Sequence, residues 1–220
     1  MRPCVYVTSG WGVHDERWVS ALRELNFRPR IIRLGVDIHD AADLRARVEA
    51  EAVDGAPVLA GPLDTITIHL ASISSRLVGL SWGFDLHRMT DRSWLTSLDG
   101  LIVDSEVTRR LAEDAGVAGD AVTFLPWGVD LNVFSPDGPR VDLTELDIPA
   151  EATTVLSLRA HEEIYRVADI LDSFAAIAVD LPNTHLIIGN QGSLTSELRE
   201  RAEQLRVDNR THFIERVRTD

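Results

Sequence analysis

The 220-residue chain contains no lysine, so all 22 of its basic side chains are arginines. Aspartate and glutamate together number 35, which gives a formal net charge of −13 at pH 7. Because a strongly negative surface repels a phosphate backbone, this balance argues against nucleic-acid binding. Two explanations of the composition stay open: codon bias combined with solubility, and adaptation to high salt.

Cysteine and long apolar segments are scarce as well. The single cysteine, Cys4, excludes an internal disulfide and is typical of a reducing compartment. No apolar run approaches the roughly 18 residues that a membrane helix requires. The amino terminus also lacks the apolar stretch of a signal peptide. We therefore expect a cytoplasmic protein.

Strand-like and helix-like segments alternate along the chain, which predicts an α/β fold with parallel sheets. In the first part of the chain the predicted strands are 4–8, 30–34, 57–61, 77–81, 101–104 and 122–125. The predicted helices there are 15–26, 41–53, 66–75 and 106–115. Apolar residues at helical spacing, such as Trp18, Leu22 and Leu25, support the first of these helices.

A run of turn residues, Pro136-Asp137-Gly138-Pro139, then interrupts the alternation. We interpret residues 136–152 as a linker between an N-terminal domain, 1–135, and a C-terminal domain, 153–220. The second domain is predicted to contain strands 154–158, 185–189 and 211–214 and helices 167–179 and 194–205. This is half of a doubly wound domain. Because parallel strands are normally buried on both faces, we expect the second domain to be incomplete.

Polar and aromatic residues follow several predicted strands of the first domain, where ligands bind in open α/β sheets. After the first strand comes Ser9-Gly10-Trp11-Gly12-Val13-His14-Asp15-Glu16-Arg17, and after the fourth comes Ser81-Trp82-Gly83-Phe84-Asp85. Glycines let the backbone approach a ligand, and the amides at a helix start favour anions. Structural roles stay open beside ligand roles: Asp15 as a helix N-cap, Trp82 in the core, Asp85 as a cap and Ser105 as an N-cap.

Residues 125–134 read Leu-Pro-Trp-Gly-Val-Asp-Leu-Asn-Val-Phe. They resemble the P-N-G-V-D-x-x-x-F signature at the domain junction of family-four glycosyltransferases, with Trp127 in place of Asn. The glycine loop and the Gly83–Asp85 turn also resemble segments of that family, which has the GT-B fold of two Rossmann-like domains. The resemblance spans essentially the whole chain. It implies an acceptor-side or cleft role for Gly10, Gly12, His14, Arg17, Trp82, Asp85, Trp127 and Asp130.

In the second domain of this family, an arginine after the first strand and a lysine about five residues later hold the donor diphosphate. Here Arg159 is at the arginine position, Tyr165 stands near the lysine position, and Arg166 is a substitute that can bind phosphate bidentately. The alternative for Arg159 is a surface ion pair with Glu162 or Glu163. A turn at 189–192 resembles the family's G-x-G turn with one extra residue. The resemblance therefore implies donor binding by Arg159, Tyr165, Arg166, Gly189 and Gly192.

The implied function is transfer of a sugar from a nucleotide-sugar donor, with retention of configuration, to a carbohydrate, lipid or small-molecule acceptor. No cofactor or metal is expected, and the seven histidines show no metal-ligand spacing. The family's E-x7-E donor motif is absent, so we expect a truncated chain that is inactive alone and assign no catalytic residue. Peripheral membrane association and a partner chain that completes the second domain stay open. The alternatives are a non-catalytic remnant or binding subunit, and a GT-B-like nucleotide-sugar epimerase.

Overall fold

The computed structural model describes residues 1–63, 67, 70–71, 73, 75–82, 84–138 and 141–215, apart from the side chain of Ala41. The chain divides into two compact units, Met1–Leu131 and Asn132–Asp220. Each unit has its own parallel sheet. The predicted α/β class with two parallel-sheet domains is therefore confirmed.

The first unit is built on a six-stranded parallel sheet. Its strands are β1 (Arg2–Thr8), β2 (Phe27–Arg33), β3 (Val58–Gly61), β4 (Leu77–Leu80), β5 (Gly100–Val103) and β6 (Val122–Phe124). They lie in the order β2-β1-β3-β4-β5-β6, and every neighbouring pair is parallel. The direction of strand addition reverses beside β1, and such a reversal opens a ligand-binding crevice at the carboxyl ends of the strands.

Both faces of this sheet are covered by helices. The α-helices are α1 (Val13–Glu24), α2 (Ala41–Glu51), α3 (Asp85–Arg88) and α4 (Glu106–Asp114). Side chains of β1 alternate between two cores: Val5 and Val7 pack with residues of α2 and α4, whereas Cys4 and Tyr6 pack with residues of α1. A parallel sheet needs this two-sided burial.

The second unit is built on a three-stranded parallel sheet in the order β7 (Thr153–Ser157), β8 (Thr184–Gly189) and β9 (Thr211–Ile214). Two helices, α5 (Val167–Ala178) and α6 (Thr195–Gln204), pack against one face of it. The core there joins Leu171 and Phe174 of α5 and Leu198 of α6 to Leu186 and Ile188 of β8. β8 is buried along its whole length, whereas β7 is exposed at all but its last residue.

Element ends differ from the prediction in several places. β2 begins at Phe27 rather than at residue 30, and α1 begins at Val13 rather than at residue 15. The helix α3 and the 3₁₀ turn Ser93–Ser97 were not predicted, because four or five residues are too few to show a helical period. Half of the residues of the predicted helix at 66–75 lie outside the described residues.

Candidate functional site

Because β1 to β6 are parallel, the loops that follow them lie at one edge of the first sheet, which we call the carboxyl edge. The glycine loop, residues 9–12, follows β1, and residues 81–82, 104–105 and 125–131 follow β4, β5 and β6. Most of the acceptor-side residues implied by the sequence lie on these loops or at the start of α1. The carboxyl edge is therefore the region in which their geometry can be tested.

The glycine loop is fixed at both ends by hydrogen bonds. The Thr8 hydroxyl donates to the carbonyl of Gly10 at 2.6 Å. The same hydroxyl oxygen accepts the N–H of Gly10, with 3.2 Å between the oxygen and the nitrogen. At the other end, the Gly12 N–H donates to Asp15 Oδ2 at 2.9 Å, and the Tyr6 hydroxyl donates to Asp15 Oδ1 at 3.1 Å. Burial, followed by the charge of Asp15 and this hydrogen bond, raises the pKa of Tyr6. The loop backbone is therefore held in one conformation by the protein itself.

Asp15 is not the N-cap of α1, so that interpretation of the sequence is wrong. The N-cap is Gly12, and Asp15 is the third residue of the helix, with a side chain 3% exposed. Its carboxylate reaches back to the N–H of the cap residue, which is the second half of a capping box. An acidic residue can satisfy the helix start from this third position as well as from the cap position, and sequence alone does not separate the two.

Gly10 and Gly12 are bordered by open space. A Cβ added at either position would meet no described atom within 4 Å. The Gly12 backbone is extended, with φ −157° and ψ −169°, a conformation that other residues also adopt. Internal packing therefore does not require glycine at either position, and the space beside the loop is large enough for an external group to approach its backbone. The acceptor-side role of the two glycines stays a prediction.

Three of the implied acceptor-side residues come together as an aromatic cluster: His14, Trp82 and Trp127. The imidazole of His14 lies 4.1 Å from the Trp127 ring and 5.8 Å from the Trp82 ring, between centroids. The two indoles are 6.4 Å apart in an edge-to-face arrangement. Trp82 also packs partly against the core on the α1 side, as its structural interpretation requires, and its ligand-side role stays a prediction. Clustered aromatic faces offer an apolar platform with polar tips.

The loop after β5 anchors this cluster. Trp127 is 39% exposed, yet its Nε1–H donates to Asp104 Oδ2 at 3.2 Å. The hydroxyl of Thr108 lies 3.4 Å from Asp104 Oδ1 and donates to it. Ser105 accepts the N–H of Thr108 at 3.1 Å and is the N-cap of α4, as predicted. The Trp127 side chain is thus held in place at the carboxyl edge although it faces solvent.

The carboxylate of Asp85 accepts hydrogen bonds from groups of the protein itself. It accepts the N–H groups of Leu63 at 3.0 Å, Trp82 at 2.7 Å and Leu86 at 2.7 Å, and the hydroxyl of Ser81 at 2.7 Å. Four donors occupy the acceptor sites of a carboxylate. The implied contact between Asp85 and a sugar hydroxyl therefore has no vacant acceptor, and the geometry instead fits a residue that ties together the segments after β3 and β4.

The other implied acceptor-side residues lie outside the aromatic cluster. Arg17 is exposed on α1, one turn after His14, and Asp130 is exposed in the segment after β6. Gly83, part of the Gly83–Asp85 turn, lies outside the described residues. The roles of Arg17 and Asp130 stay predictions.

In the second unit, the loop after β7 carries the implied donor arginine. The guanidinium carbon of Arg159 lies 5.6 Å from the ring centroid of Tyr165, which is a cation–π contact. The alternative partner Glu162 is engaged elsewhere, because it accepts the N–H of Ser193 at 2.9 Å and its hydroxyl at 2.6 Å. Arg159 and Tyr165 are therefore neighbours, as a shared donor-side role requires.

The turn after β8, residues 190–193, packs against the loop after β7. The N–H of Gly192 donates to Thr195 Oγ1 at 3.0 Å, and the same hydroxyl lies 2.9 Å from His161 Nδ1. The backbone N–H of His161 donates to the carbonyl of Gln191 at 3.2 Å. A Cβ on Gly192 would lie 2.5 Å from the carbonyl oxygen of His161 and 2.6 Å from Glu162 Oε1. Glycine is thus required here by packing between the two loops.

Gly189 and Arg166 also have structural roles in the second unit. A Cβ on Gly189, at the end of β8, would lie 2.8 Å from Leu158 Cδ2. Arg166 is the N-cap residue of α5 in the left-handed region, with φ 51°. Its Nε donates to Asp169 Oδ2 at 2.6 Å. Because this guanidinium already has a carboxylate partner, Arg166 is a weaker candidate for the second diphosphate contact than the sequence suggested.

Two histidines of the second unit, the buried His161 and the half-buried His212, have lowered pKa values. His161 is 1% exposed, and its Nε2 has no hydrogen-bond partner among the described residues. Burial lowers the pKa of His161, although the Gly189 carbonyl opposes the shift. His212 lies with its Nε2 2.9 Å from Nδ1 of His185. Burial and the neighbouring His185 lower the pKa of His212.

We expect the free energy of unfolding of the second unit to decrease as the pH falls below about 6.5. Unfolded histidine takes up a proton near that pH, whereas the folded histidines do so only at lower pH, so the unfolded state binds more protons. Urea unfolding at pH 7.5, 6.5 and 5.5 measures the effect. His161→Gln should reduce the loss, whereas His39→Gln, at an exposed position of the first unit, should not. Equal losses in the wild type and His161→Gln would contradict the assignment.

Some residues that shape these loops were not among the predicted site residues. Trp11 is 42% exposed between two glycines, and an exposed tryptophan in a loop is a signal that could have identified it. His161, Glu162 and Thr195 hold the donor-side loops together, but their contacts join residues about 30 positions apart, for example 161 with 195. Nothing in the local pattern indicates those pairs.

Within the part of the chain that the structure describes, no cluster of three or more His, Cys, Asp or Glu side chains has the arrangement to hold a metal ion. In the same residues, no helix combines the length and the apolar character needed to cross a membrane.

Comparison with known proteins gives one sequence relative and a set of structural ones. No family model matches the chain. The alpha-monoglucosyldiacylglycerol synthase of Streptococcus pneumoniae (strain ATCC BAA-255 / R6) is 27% identical over 127 residues, which are 56% of this chain and 29% of that protein. The matched region thus spans less than a third of the relative's length.

The solved structures share the fold over nearly the whole chain. HepE of Anabaena in complex with UDP superposes with a TM-score of 0.74 and 15% identity, covering 99% of this chain and 70% of that one. The apo form of the lipopolysaccharide outer core galactosyltransferase WaaB gives a TM-score of 0.69 and 12% identity over 98% of this chain and 68% of that one. A structure described as a UDP-N-acetylglucosamine 2-epimerase of Listeria monocytogenes gives a TM-score of 0.65 and 13% identity. The match covers 99% of this chain and 70% of that one.

Proposed function

We propose that this chain, which has the glycosyltransferase GT-B fold, belongs to an enzyme of the family-four type that transfers a sugar from a UDP-sugar to an acceptor with retention of configuration. The similarity to HepE, whose structures contain UDP and UDP-glucose, carries the choice of donor. The chain spans 68–70% of the matched glycosyltransferase chains, so the proposal concerns the whole enzyme to which these two units contribute.

In this proposal the second unit holds the donor. Arg159 stands at the carboxyl end of β7 beside Tyr165, where a guanidinium can donate two parallel hydrogen bonds to a diphosphate. The positive charge would stabilise the leaving diphosphate, which is the main electrostatic demand in such a transfer. The Gly192 turn packs against His161 and Glu162 in the loop after β7, which would limit the reorganisation of that loop on binding.

The first unit would then hold the acceptor at its carboxyl edge. The aromatic cluster supplies an apolar platform, and Gly10 and Gly12 leave the adjoining backbone accessible. The hydrogen bond between Trp127 and Asp104 fixes the more exposed of the two indoles of the cluster. These features support acceptor binding without identifying a general acid or base among the described residues.

A nucleotide-sugar epimerase is the second candidate, because a protein described as such an enzyme shares the fold with a TM-score of 0.65. The two candidates differ in their need for an acceptor. An epimerase converts the nucleotide sugar alone, whereas a transferase releases UDP in proportion to a glycosylated acceptor.

The proposal predicts saturable binding of UDP and UDP-glucose to the purified chain, measured by isothermal titration calorimetry. A dissociation constant between about 1 μM and 1 mM is expected, the usual range for enzyme substrates. ADP and ADP-glucose are the matched controls and should bind more weakly. Absence of UDP and UDP-glucose binding across that range would contradict the donor assignment, and conversion of UDP-N-acetylglucosamine without an acceptor would favour the epimerase.

A further inference from the structure

A pocket separate from the aromatic cluster opens beside the glycine loop, on the β2 side of the first unit. Its volume is about 480 Å³, within the usual range of roughly 300–1,000 Å³ for small-molecule sites. The lining residues come from the glycine loop, from the end of β2 and the loop after it, and from α2: Trp11, Ile31, Ile32, Arg33, Asp37, Ile38 and Arg47. None of them belongs to the predicted site or to the aromatic cluster.

The walls of this pocket are fixed by the fold. Asp37 accepts the backbone N–H of Arg33 at 2.9 Å and two guanidinium N–H groups of the same residue at 3.1 Å each. The N–H of Gly35 donates to the carbonyl of Ile38 at 2.7 Å, and Gly35 has φ +81°, so the loop closes as a tight turn. Trp11 also lines the pocket and belongs to the glycine loop, whose two ends are hydrogen-bonded. The pocket is therefore largely preformed.

The arginines that line the pocket each have a carboxylate partner. Arg33 is paired with Asp37, and Arg47 Nη2 lies 2.9 Å from Glu51 Oε1, a carboxylate that Arg30 shares at 3.0 Å. Hydrogen bonds from Arg33 lower the pKa of Asp37, which therefore stays ionised at neutral pH. An anionic ligand therefore finds no guanidinium in the pocket lining without a carboxylate partner. A neutral ligand with several hydroxyl groups, in contrast, finds planar donors and acceptors side by side.

Trp11 supplies the surface that such a ligand needs. Trp11 is 42% exposed and lines the same pocket as the ion pair of Arg33 and Asp37. A sugar ring has an apolar C–H face and a rim of hydroxyls, so it can pack on an indole while its rim reaches the charged side chains. A linear alcohol or a lipid chain would leave one of these two features unused.

We propose that this pocket binds a neutral sugar ring, with its C–H face on the indole of Trp11 and its hydroxyls on the Arg33–Asp37 pair. The inference rests on the proposed function, in which the ring is part of a carbohydrate-bearing acceptor. It assigns the acceptor side to a subsite formed by β2 and α2 in addition to the aromatic cluster.

The test is equilibrium binding of methyl α-D-glucopyranoside and methyl β-D-galactopyranoside to the chain without nucleotide, with glycerol 3-phosphate as the anionic comparison. All five tryptophans lie between residues 11 and 127, so tryptophan fluorescence reports on the first unit alone. We expect saturation by at least one glycoside, with an affinity about tenfold lower in Trp11→Ala and in Asp37→Asn. Trp11→Phe should retain part of the binding.

The matched control is Glu49→Gln. Glu49 forms the same kind of i,i+4 ion pair with Arg45 at 3.2 Å, but neither residue lines the pocket, so glycoside affinity should be unchanged. Glycoside binding that survives Trp11→Ala and Asp37→Asn, preference for glycerol 3-phosphate, or no glycoside binding would each overturn the inference. UDP titration separates the two proposals: UDP binding without glycoside binding rejects only the sugar subsite, whereas Trp11-dependent glycoside binding without UDP binding rejects only the donor assignment.

Discussion

Arg159→Gln should weaken the binding of UDP to the chain by about tenfold to a hundredfold. A hydrogen bond to a charged group contributes about 1.5–3 kcal/mol, and about 1.4 kcal/mol corresponds to a factor of ten in affinity. Glutamine keeps part of the length and polarity of arginine but removes the positive charge and the forked donors. The measurement is the UDP dissociation constant from calorimetry, with circular dichroism to verify that the variant is folded.

The controls for this change are two other arginines of the same unit. Arg201→Gln removes the same charge from α6, where Arg201 pairs with Asp172 at 2.9 Å, and should alter the UDP affinity less than about twofold. Arg166→Gln should have an effect smaller than that of Arg159→Gln, because Arg166 is already paired with Asp169. Equal losses in all three variants would show that only net charge matters and would remove Arg159 from the donor site.

Gly192→Ala should lower the free energy of unfolding of the second unit by about 1–3 kcal/mol, the usual cost of overpacking a tightly packed site. The new methyl group would lie 2.5 Å from the carbonyl oxygen of His161, which is backbone and can move only if the loop moves. We therefore expect faster amide hydrogen exchange in peptides that contain residues 159–162 and 190–195, and a weaker affinity for UDP.

Gly119→Ala is the control for the loss of glycine flexibility. Its added Cβ would lie 3.9 Å from Glu113 Oε1, an ordinary contact, and a substitution of this kind usually changes stability by less than about 0.5 kcal/mol. If Gly192→Ala left both stability and hydrogen exchange at wild-type values, the loop after β7 would not be packed against the turn after β8 as described.

Much of the fold was predictable because its signals are local. The apolar runs of β1, β3 and β8 are long enough to identify buried parallel strands, and the helices between them show a helical period. The start of α1 was misplaced because its capping acid, Asp15, lies inside the first turn. The helix α3 was missed because four residues do not establish a period.

The site was predictable only in part, because its contacts join distant segments. The family resemblance, together with positions after predicted strands, selected His14, Trp82 and Trp127, which the structure brings together. The same reasoning selected Asp85, but its donors include Leu63, 22 positions away, and no pattern in the chain shows that they fill the carboxylate. The sequence also did not show that Arg166, which has a left-handed backbone at the start of α5, pairs with Asp169.

At the carboxyl edge of the first sheet, two carboxylates accept hydrogen bonds from main-chain N–H groups and so fix the course of the glycine loop and of the segments after β3 and β4. Asp15 binds the N–H of Gly12, and Asp85 binds the N–H groups of Leu63 and Trp82. Main-chain donors are present whatever side chain a loop position carries. Evolution, or a directed library at positions 9, 11 and 82, can therefore exchange ligand-facing side chains one at a time while the loops keep their course, so that new specificities arise on an unchanged framework.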